Sequence, residues 1–312
     1  MQNGTAVAHP QADRNFPDYP FAGQHLELNG NRLHYLDEGP RDGDPVVMVH
    51  GNPTWSFYYR HLVRELNDRY RTVVPDHIGM GLSDTPSADE YSYTLSQRVD
   101  DLEALLSHLG LEENLTLVLH DWGGMIGMAY ATRHPDRVKR FVIFNTAAFH
   151  LPKSKPFPWQ LKLCRRPWLG PVMVQGFNAF CRGAVRNCVT RRPMPQAVKD
   201  AYLAPYDSWE HRQAVLQFVK DIPLKQADPG YDEISRVEAN LHQFRDRPMF
   251  IGWGMKDFVF DEHFLREWTL HFPAAEVHRY DDAGHYVLED TAEELVPLVR
   301  QFLDNHPLPA AQ

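Results

Sequence analysis

The chain is predicted to be an α/β protein with a mostly parallel central sheet flanked by helices. Five short, nearly continuous apolar runs, PVVMVHG, YRTVVPD, LTLVLHD, RFVIFN and PMFIGWG, are rich in Val, Ile and Phe, as strands buried on both faces are. Between them lie SFYYRHLVRELND, TLSQRVDDLEALLSHLG and MIGMAYATRHPDRVKR, in which apolar residues recur at helical spacing. Strands alternating with helices imply βαβ units. A length of 312 residues at 43% hydrophobic composition is enough to bury the core of one large domain with an insertion.

Residues 1–20 read as a polar, Pro-containing tail. QHLELNG and NRLHYLDEG then alternate apolar and polar residues about Gly30-Asn31, the pattern of an antiparallel hairpin at a sheet edge. Pro53 suits a first helical turn. Thr94 reads as the cap of the second helical segment and Gly110 as its stop. Between RFVIFN and PMFIGWG the strand–helix rhythm breaks for roughly a hundred residues carrying several helical patterns. The expected organisation is a core of residues 21–150 and 240–306 interrupted by a helical cap over 151–239.

A formal net charge of −9 argues against a general nucleic-acid binder, which needs a basic surface. No basic-then-apolar leader opens the sequence, and no apolar run approaches the roughly 20 residues that span a bilayer. Cys164, Cys181 and Cys188 form no C-x-x-C pair and read as buried or idle thiols of a reducing compartment. The expected location is the cytoplasm, soluble or peripherally associated. No metal cluster or dinucleotide fingerprint is present, Gly79-Met80-Gly81 reading as a loop at a strand end, and no cofactor is expected. From Asn145 to Lys199 there is no Asp or Glu, yet Lys153, Lys155, Lys162, Arg165, Arg166, Arg182, Arg186, Arg191 and Arg192 occur. That basic, aromatic-bearing stretch is either a solvated cap surface or a contact for an anionic membrane or an acidic partner such as another enzyme of the same pathway.

In VLHDWGGMIGMAY, Asp121 sits where an apolar run gives way to a helix. It is either an N-cap or a nucleophile raised on a sharp strand-to-helix turn, the place of Ser in G-x-S-x-G. A carboxylate that attacks carbon leaves an ester, so it needs a base, an orienting acid and anion-stabilising donors. Asp257 follows PMFIGWG, where it would hold an imidazole tautomer or cap the next helix. His285 lies in EVHRYDDAGHYVLED before the last helix, as a base acting on water or as one of 17 histidines. The order nucleophile, acid, His is that of α/β-hydrolases and differs from the chymotrypsin and subtilisin orders. In MVHGNPTWSFYYR, Gly51 permits a tight backbone and leaves the Asn52 N–H free to point into a cleft, with the Trp122 N–H as second donor. The Asn52 amide and the Trp122 indole are neutral donors suited to a leaving halide or carboxylate. A turn role for Asn52 and core packing for Trp122 are the alternatives.

HGNPTWSFYYR, HDWGG, GMKDFVF and DAGHYVLED together resemble the haloalkane dehalogenase group of α/β-hydrolases, over nearly all of the chain after residue 20. The resemblance implies an α/β-hydrolase fold with Asp121 as nucleophile, His285 as base, Asp257 as triad acid, and Asn52 with Trp122 as the anion-stabilising pair. Some dehalogenases place a carboxylate after the strand matching RFVIFN; here that position holds Asn145. Epoxide hydrolases share HDWGG but use cap tyrosines and an aromatic after His-Gly. Asn52 speaks against them, while Tyr202 and Tyr206 keep that alternative open. FNTAAFHLPKSKPFPW, GFNAF, APYDSW and FVKDIPL are similar to the branch that includes the β-lactone decarboxylases of bacterial long-chain olefin biosynthesis. The implied reaction converts cis-3,4-dialkyl β-lactones into cis-alkenes and carbon dioxide. The alternative is a haloalkane dehalogenase releasing halide and a primary alcohol through an aspartyl ester. Either way the implied ligand is a hydrophobic small molecule. Phe157, Trp159, Leu161, Trp168, Phe177 and Phe180 are expected either to line its channel or to pack cap against core. A silent hydrolase fold used as a scaffold is the reading from a different class.

Overall fold

The computed structural model describes residues 15–308, so most of the expected tail, residues 1–14, lies outside the described residues. The remainder of that stretch is anchored by two rings: Phe16 is buried edge-on and Tyr19 tilted against Trp55 and Phe57, and the Tyr19 hydroxyl meets Ser56 Oγ at 2.7 Å.

One eight-stranded sheet organises the chain, in the order β1-β2-β4-β3-β5-β6-β7-β8. β1 (Gln24–Leu28) and β2 (Asn31–Glu38) form the edge hairpin, and β2 also pairs antiparallel with β4 (Arg71–Pro75). The hairpin turn is Asn29-Gly30, one residue earlier than expected, because these two take the positive φ values, 51° and 83°, that a tight two-residue turn requires. β3 (Pro45–Val49), β4, β5 (Leu115–Asp121), β6 (Val138–Thr146), β7 (Met249–Gly254) and β8 (Glu276–Tyr280) run parallel. β8 was not legible as a strand, since EVHRY is half exposed at the far edge and lacks an apolar run.

The central strands are apolar on both faces because each face meets its own helical layer. Val47, Val49, Leu117, Leu119, Phe141, Ile143 and Ile251 point to one side. There they pack with α2 (Leu95–His108), α3 (Trp122–Arg133) and α10 (Glu262–His271). The alternate residues Val46, Met48, Val118, Val142, Phe144 and Phe250 face α1 (Arg60–Leu66) and α11 (Val287–Asn305). Each such side chain contributes on the order of 1.5–3 kcal/mol by leaving water.

Helix limits depart from expectation in two places. A 3-10 turn at Ser56–Tyr59 precedes α1, so Pro53 belongs to the preceding loop and not to a helical turn. α3 starts at Trp122 and stops at Arg133; Val138, Lys139 and Arg140 of the expected helix are the first residues of β6, beyond His-Pro. Thr94 does cap α2, its hydroxyl accepting the Gln97 N–H.

Between β6 and β7 lie α4 (Trp159–Cys164), α5 (Leu169–Pro171, continued by a π turn over Val172–Gly176), α6 (Ala179–Asn187), α7 (Gln196–Leu203), α8 (Gln213–Lys220) and α9 (Tyr231–Asn240). α4, α5, α6 and α8 pack on one another, whereas α9 packs on α3 in the layer beside the sheet. A buried ion pair ties this insertion to the core. Arg60 grips both Glu289 oxygens at 2.5 and 2.9 Å, and Tyr202 of α7 donates to Oε1 of the same carboxylate. Removing one member strands the others out of water, so Glu289→Ala is expected to lower stability by about 3–5 kcal/mol in urea unfolding. A loss under 1 kcal/mol would show that water reaches and solvates Arg60.

Candidate active site

β5 delivers Asp121 to the site in a backbone conformation that few non-glycine residues adopt, φ 52° and ψ −124°, before α3 begins at the next residue. Its side chain makes no capping bond to α3, which removes the N-cap alternative. The turn needs close contact. A Cβ on Gly123 would lie 1.9 Å from the Val49 carbonyl oxygen, and one on Gly51 would lie 2.1 Å from Asp121 Oδ1. Thr146 Oγ1 donates to the Asp121 carbonyl and fixes the corner from β6.

The two carboxylate oxygens have different surroundings. Oδ1 accepts the Asn52 backbone N–H at 2.6 Å, and the backbone N–H of Trp122, the next residue, favours the ionised carboxylate. Oδ2 lies 3.6 Å from His285 Nε2. His285 Nδ1 donates to Asp257 Oδ2 at 2.7 Å, which fixes the tautomer with Nε2 toward Asp121. Asp257 Oδ1 accepts the Val259 N–H at 2.7 Å, while Asp261 caps α10, so Asp257 is not that helix's cap. Asp121, His285, Asp257, Asn52 and Trp122 are thus brought together, all buried.

Burial pushes the Asp121 carboxyl above its ordinary value, although His285 and the two backbone N–H groups favour its ionised form. Burial works against a charged His285, but the Asp257 carboxylate, its hydrogen bond and Asp121 more than offset this and lift the imidazole above its usual value. Burial and hydrogen bonding thus pull in opposite directions at Asp121, and the imidazole beside it is more readily charged than usual.

Asn52 departs from expectation in part. Its side-chain Nδ2 donates to the Val215 carbonyl of α8 at 3.1 Å, leaving one N–H of that amide for a ligand. The Trp122 indole N–H takes no partner among the described residues and the residue lines the cavity, so the indole is the freer donor. Tyr202 and Tyr206 do not line the cavity. They donate to Glu289 and to the Thr54 carbonyl as ties between insertion and core, which removes the ring-opening role that kept the epoxide alternative open.

Several supporting residues escaped the sequence reading. His50 donates from Nδ1 to the Gly51 carbonyl at 2.8 Å, and its Nε2 accepts the His77 N–H at 3.2 Å, stiffening the Asn52 loop. Asp76 accepts the Ser56 and Leu82 N–H groups and the His34 ring below that loop. His120, directly before Asp121, donates to the His285 carbonyl at 2.9 Å. Asn145 bonds the Gly254 N–H and carbonyl and the Phe260 carbonyl, and so fixes the loop that carries Asp257. His120 is the first residue of HDWGG and His50 of HGNPTWSFYYR, so both stood in quoted motifs without a role, and Asn145 was named only as the place of an absent carboxylate; the bonds all of them make are pairings that sequence distance hides.

Above Asp121 opens a cavity of about 620 Å³. Phe149, Leu151, Phe157, Leu161, Phe180, Ile222, Leu224, Phe258, Phe260 and Phe264 line it, with Trp159 at the rim. Trp168 and Phe177, expected either to line this channel or to pack cap against core, do neither and face solvent. The three cysteines are free and buried.

Comparison with known proteins agrees with this fold. Residues 44–171 match a family model for the alpha/beta hydrolase fold. The chain is 54% identical to the cis-3-alkyl-4-alkyloxetan-2-one decarboxylase of Shewanella oneidensis, over 91% of this chain and 89% of that protein. It is 52% identical to the protein of the same name from Xanthomonas campestris pv. campestris, over 94% and 99%. A haloalkane dehalogenase of Mycolicibacterium paratuberculosis is 32% identical over 90% of this chain and 92% of its own. Among solved structures, a haloalkane dehalogenase of Agrobacterium tumefaciens C58 superposes with a TM-score of 0.80 at 25% identity, covering 91% of this chain and 96% of that one.

Proposed function

Because the chain belongs to the cis-3-alkyl-4-alkyloxetan-2-one decarboxylase branch of the haloalkane dehalogenase-like α/β-hydrolases, we propose that Asp121 opens a cis-3,4-dialkyl β-lactone and is then expelled as the alkene forms. The site geometry suits displacement at an sp³ carbon in general. One observation decides between the chemistries: across nearly the same length the chain is far more similar to the two decarboxylases than to the dehalogenase.

Asp121 Oδ2 attacks the oxygen-bearing ring carbon with inversion, and the ring C–O bond breaks to leave a carboxylate on the neighbouring carbon. That carboxylate is received by the Trp122 indole N–H and the remaining Asn52 amide N–H. The bond to the carboxyl carbon then supplies its electron pair to the new C=C bond, carbon dioxide leaves, and the ester bond to Asp121 breaks in the anti direction. No water is consumed. Inversion followed by anti elimination keeps both alkyl groups on one side and yields the cis alkene. A cationic His285, held by Asp257, stabilises the departing Asp121 carboxylate. The apolar cavity takes the alkyl arms. The proposed location is the cytoplasm: no helix among the described residues is long and apolar enough to cross a membrane, and the thiols are unpaired.

The pH profile follows from these roles. Asp121 reacts only when ionised, so turnover falls on acidification in a step above the ordinary aspartate value of 3.8. His285 loses its charge as pH rises through a value above 6.5, and decarboxylation declines there. Hydrolysis of an ester would instead need neutral His285 and rise over that interval. A rate measured from acid to alkali is expected to be bell-shaped, and an alkaline plateau at maximal rate would contradict the role given to His285.

The direct test supplies the purified protein with a cis-dialkyl β-lactone and, separately, with bromoalkanes. Alkene and carbon dioxide from the lactone with negligible bromide release are expected. Bromide and alcohol with the lactone untouched would make it a dehalogenase.

A further inference from the structure

We infer that the outer face of α4, α5 and α6 docks on an anionic lipid surface and presents the cavity mouth to it. Three large rings stand in solvent on these consecutive, mutually packed helices: Trp159 is 66% exposed, Trp168 71% and Phe177 70%. Isolated exposed apolar residues need no explanation, but three rings on neighbouring elements of one insertion make a face. Trp159 and Lys162, three residues apart on α4, share one side of that helix, and Arg166 follows in the bend just after it; all three are exposed. Arg182 and Arg186, four residues apart on α6, are exposed as well.

The basic residues of the insertion divide into two groups. Arg191 pairs with Asp282 and Glu294, Lys155 with Asp261, and Arg165 with backbone carbonyls of α8 and its exit; these are internal ties. Lys162, Arg166, Arg182 and Arg186 form no ion pair among the described residues. The chain as a whole is acidic at −9, yet no Asp or Glu occurs between Asn145 and Lys199, so this stretch carries positive charge with no acid of its own to offset it. Asp207 and Glu210 flank a further exposed ring, Trp209, which therefore lies outside the face. Indole and phenyl rings interleaved with unpaired Lys and Arg match the chemistry of an anionic headgroup layer, rings entering the boundary and cations meeting phosphate.

Position gives the contact a consequence. Trp159 belongs both to this face and to the cavity rim, beside Leu224 and Phe258, which are also exposed rim residues. A ligand dissolved in the bilayer would pass from lipid to Asp121 without crossing water. The inference holds for any water-insoluble substrate and does not depend on the lactone reading.

Cosedimentation of the purified full chain with vesicles of phosphatidylcholine, alone or mixed with phosphatidylglycerol, tests it. Wild type is expected to bind the mixed vesicles, to be released by salt, and to leave phosphatidylcholine largely unbound. The double variant Lys162→Glu/Arg166→Glu should weaken binding by at least about fivefold for each residue. Trp168→Ser/Phe177→Ser should weaken it by roughly tenfold or more. Unchanged circular dichroism confirms that these exposed positions do not hold the fold. Wild type remaining in the supernatant with anionic vesicles, or both variants sedimenting like wild type, would overturn the inference. So would concentration-dependent self-association that the same variants abolish while vesicles go unbound, which would make the face a protein contact.

Discussion

Asp121→Asn is expected to lower turnover by on the order of 10⁴-fold while the protein folds and binds ligand as before. The substitution keeps a carbonyl Oδ1 to accept the Asn52 N–H, now at 2.6 Å, and removes the negative Oδ2 that faces His285 at 3.6 Å. What is lost is nucleophilicity and not the shape of the site. Product formation and binding of a non-reacting long-chain ligand, measured on the same preparation, separate the two. A variant within tenfold of wild type would mean that Asp121 is not the attacking group. Full binding without turnover in the wild type itself would restore the scaffold alternative.

The second large effect is structural. In Gly123→Ala the new methyl would meet the Val49 carbonyl oxygen at 1.9 Å, a backbone atom of the neighbouring strand that cannot swing aside. Either α3 lifts off β3 or the strand shifts, and both displace Asp121 from the Asn52 and Trp122 N–H groups. A stability loss of about 3 kcal/mol or more in denaturant unfolding is expected, with activity falling further than the folded fraction. Wild-type stability with wild-type activity would show that the corner is not as tightly packed as this. The same substitution at Gly30, where φ is 83° and nothing lies within 4 Å of a Cβ, meets no such obstacle, and any cost there comes from the left-handed backbone, a strain Gly123 does not carry.

The parallel sheet could be read from the sequence because its strands are buried on both faces, and such strands are continuous apolar runs whatever their partners. β8 could not, since an edge strand with one wet face carries no such run. The triad was legible through order: Asp121, Asp257 and His285 each follow a recognisable strand or precede the last helix. Hydrogen bonds between residues distant in sequence were not. Asn145 to Gly254 and His50 to His77 are set by which strands lie side by side, and no local pattern encodes that. The insertion was least legible. Its aromatic residues look alike in sequence, but Phe157 and Phe180 turn into the cavity while Trp168 and Phe177 turn outward, a choice made by helix orientation.

The same carboxylate, donors and imidazole can open a lactone or displace a halide, and the two outcomes part only at the fate of the aspartyl ester. In hydrolysis, water enters at the Asp121 carbonyl carbon and its oxygen stays in the carboxylate. In decarboxylative elimination, the ester's alkyl C–O bond breaks and Asp121 leaves with both its own oxygens. The most direct measurement is therefore many turnovers of a cis-dialkyl β-lactone in oxygen-18 water, followed by the mass of the peptide carrying Asp121. Accumulating cis alkene with no heavy oxygen in Asp121 is the predicted result. Heavy oxygen in Asp121, or a trans alkene, would contradict the account.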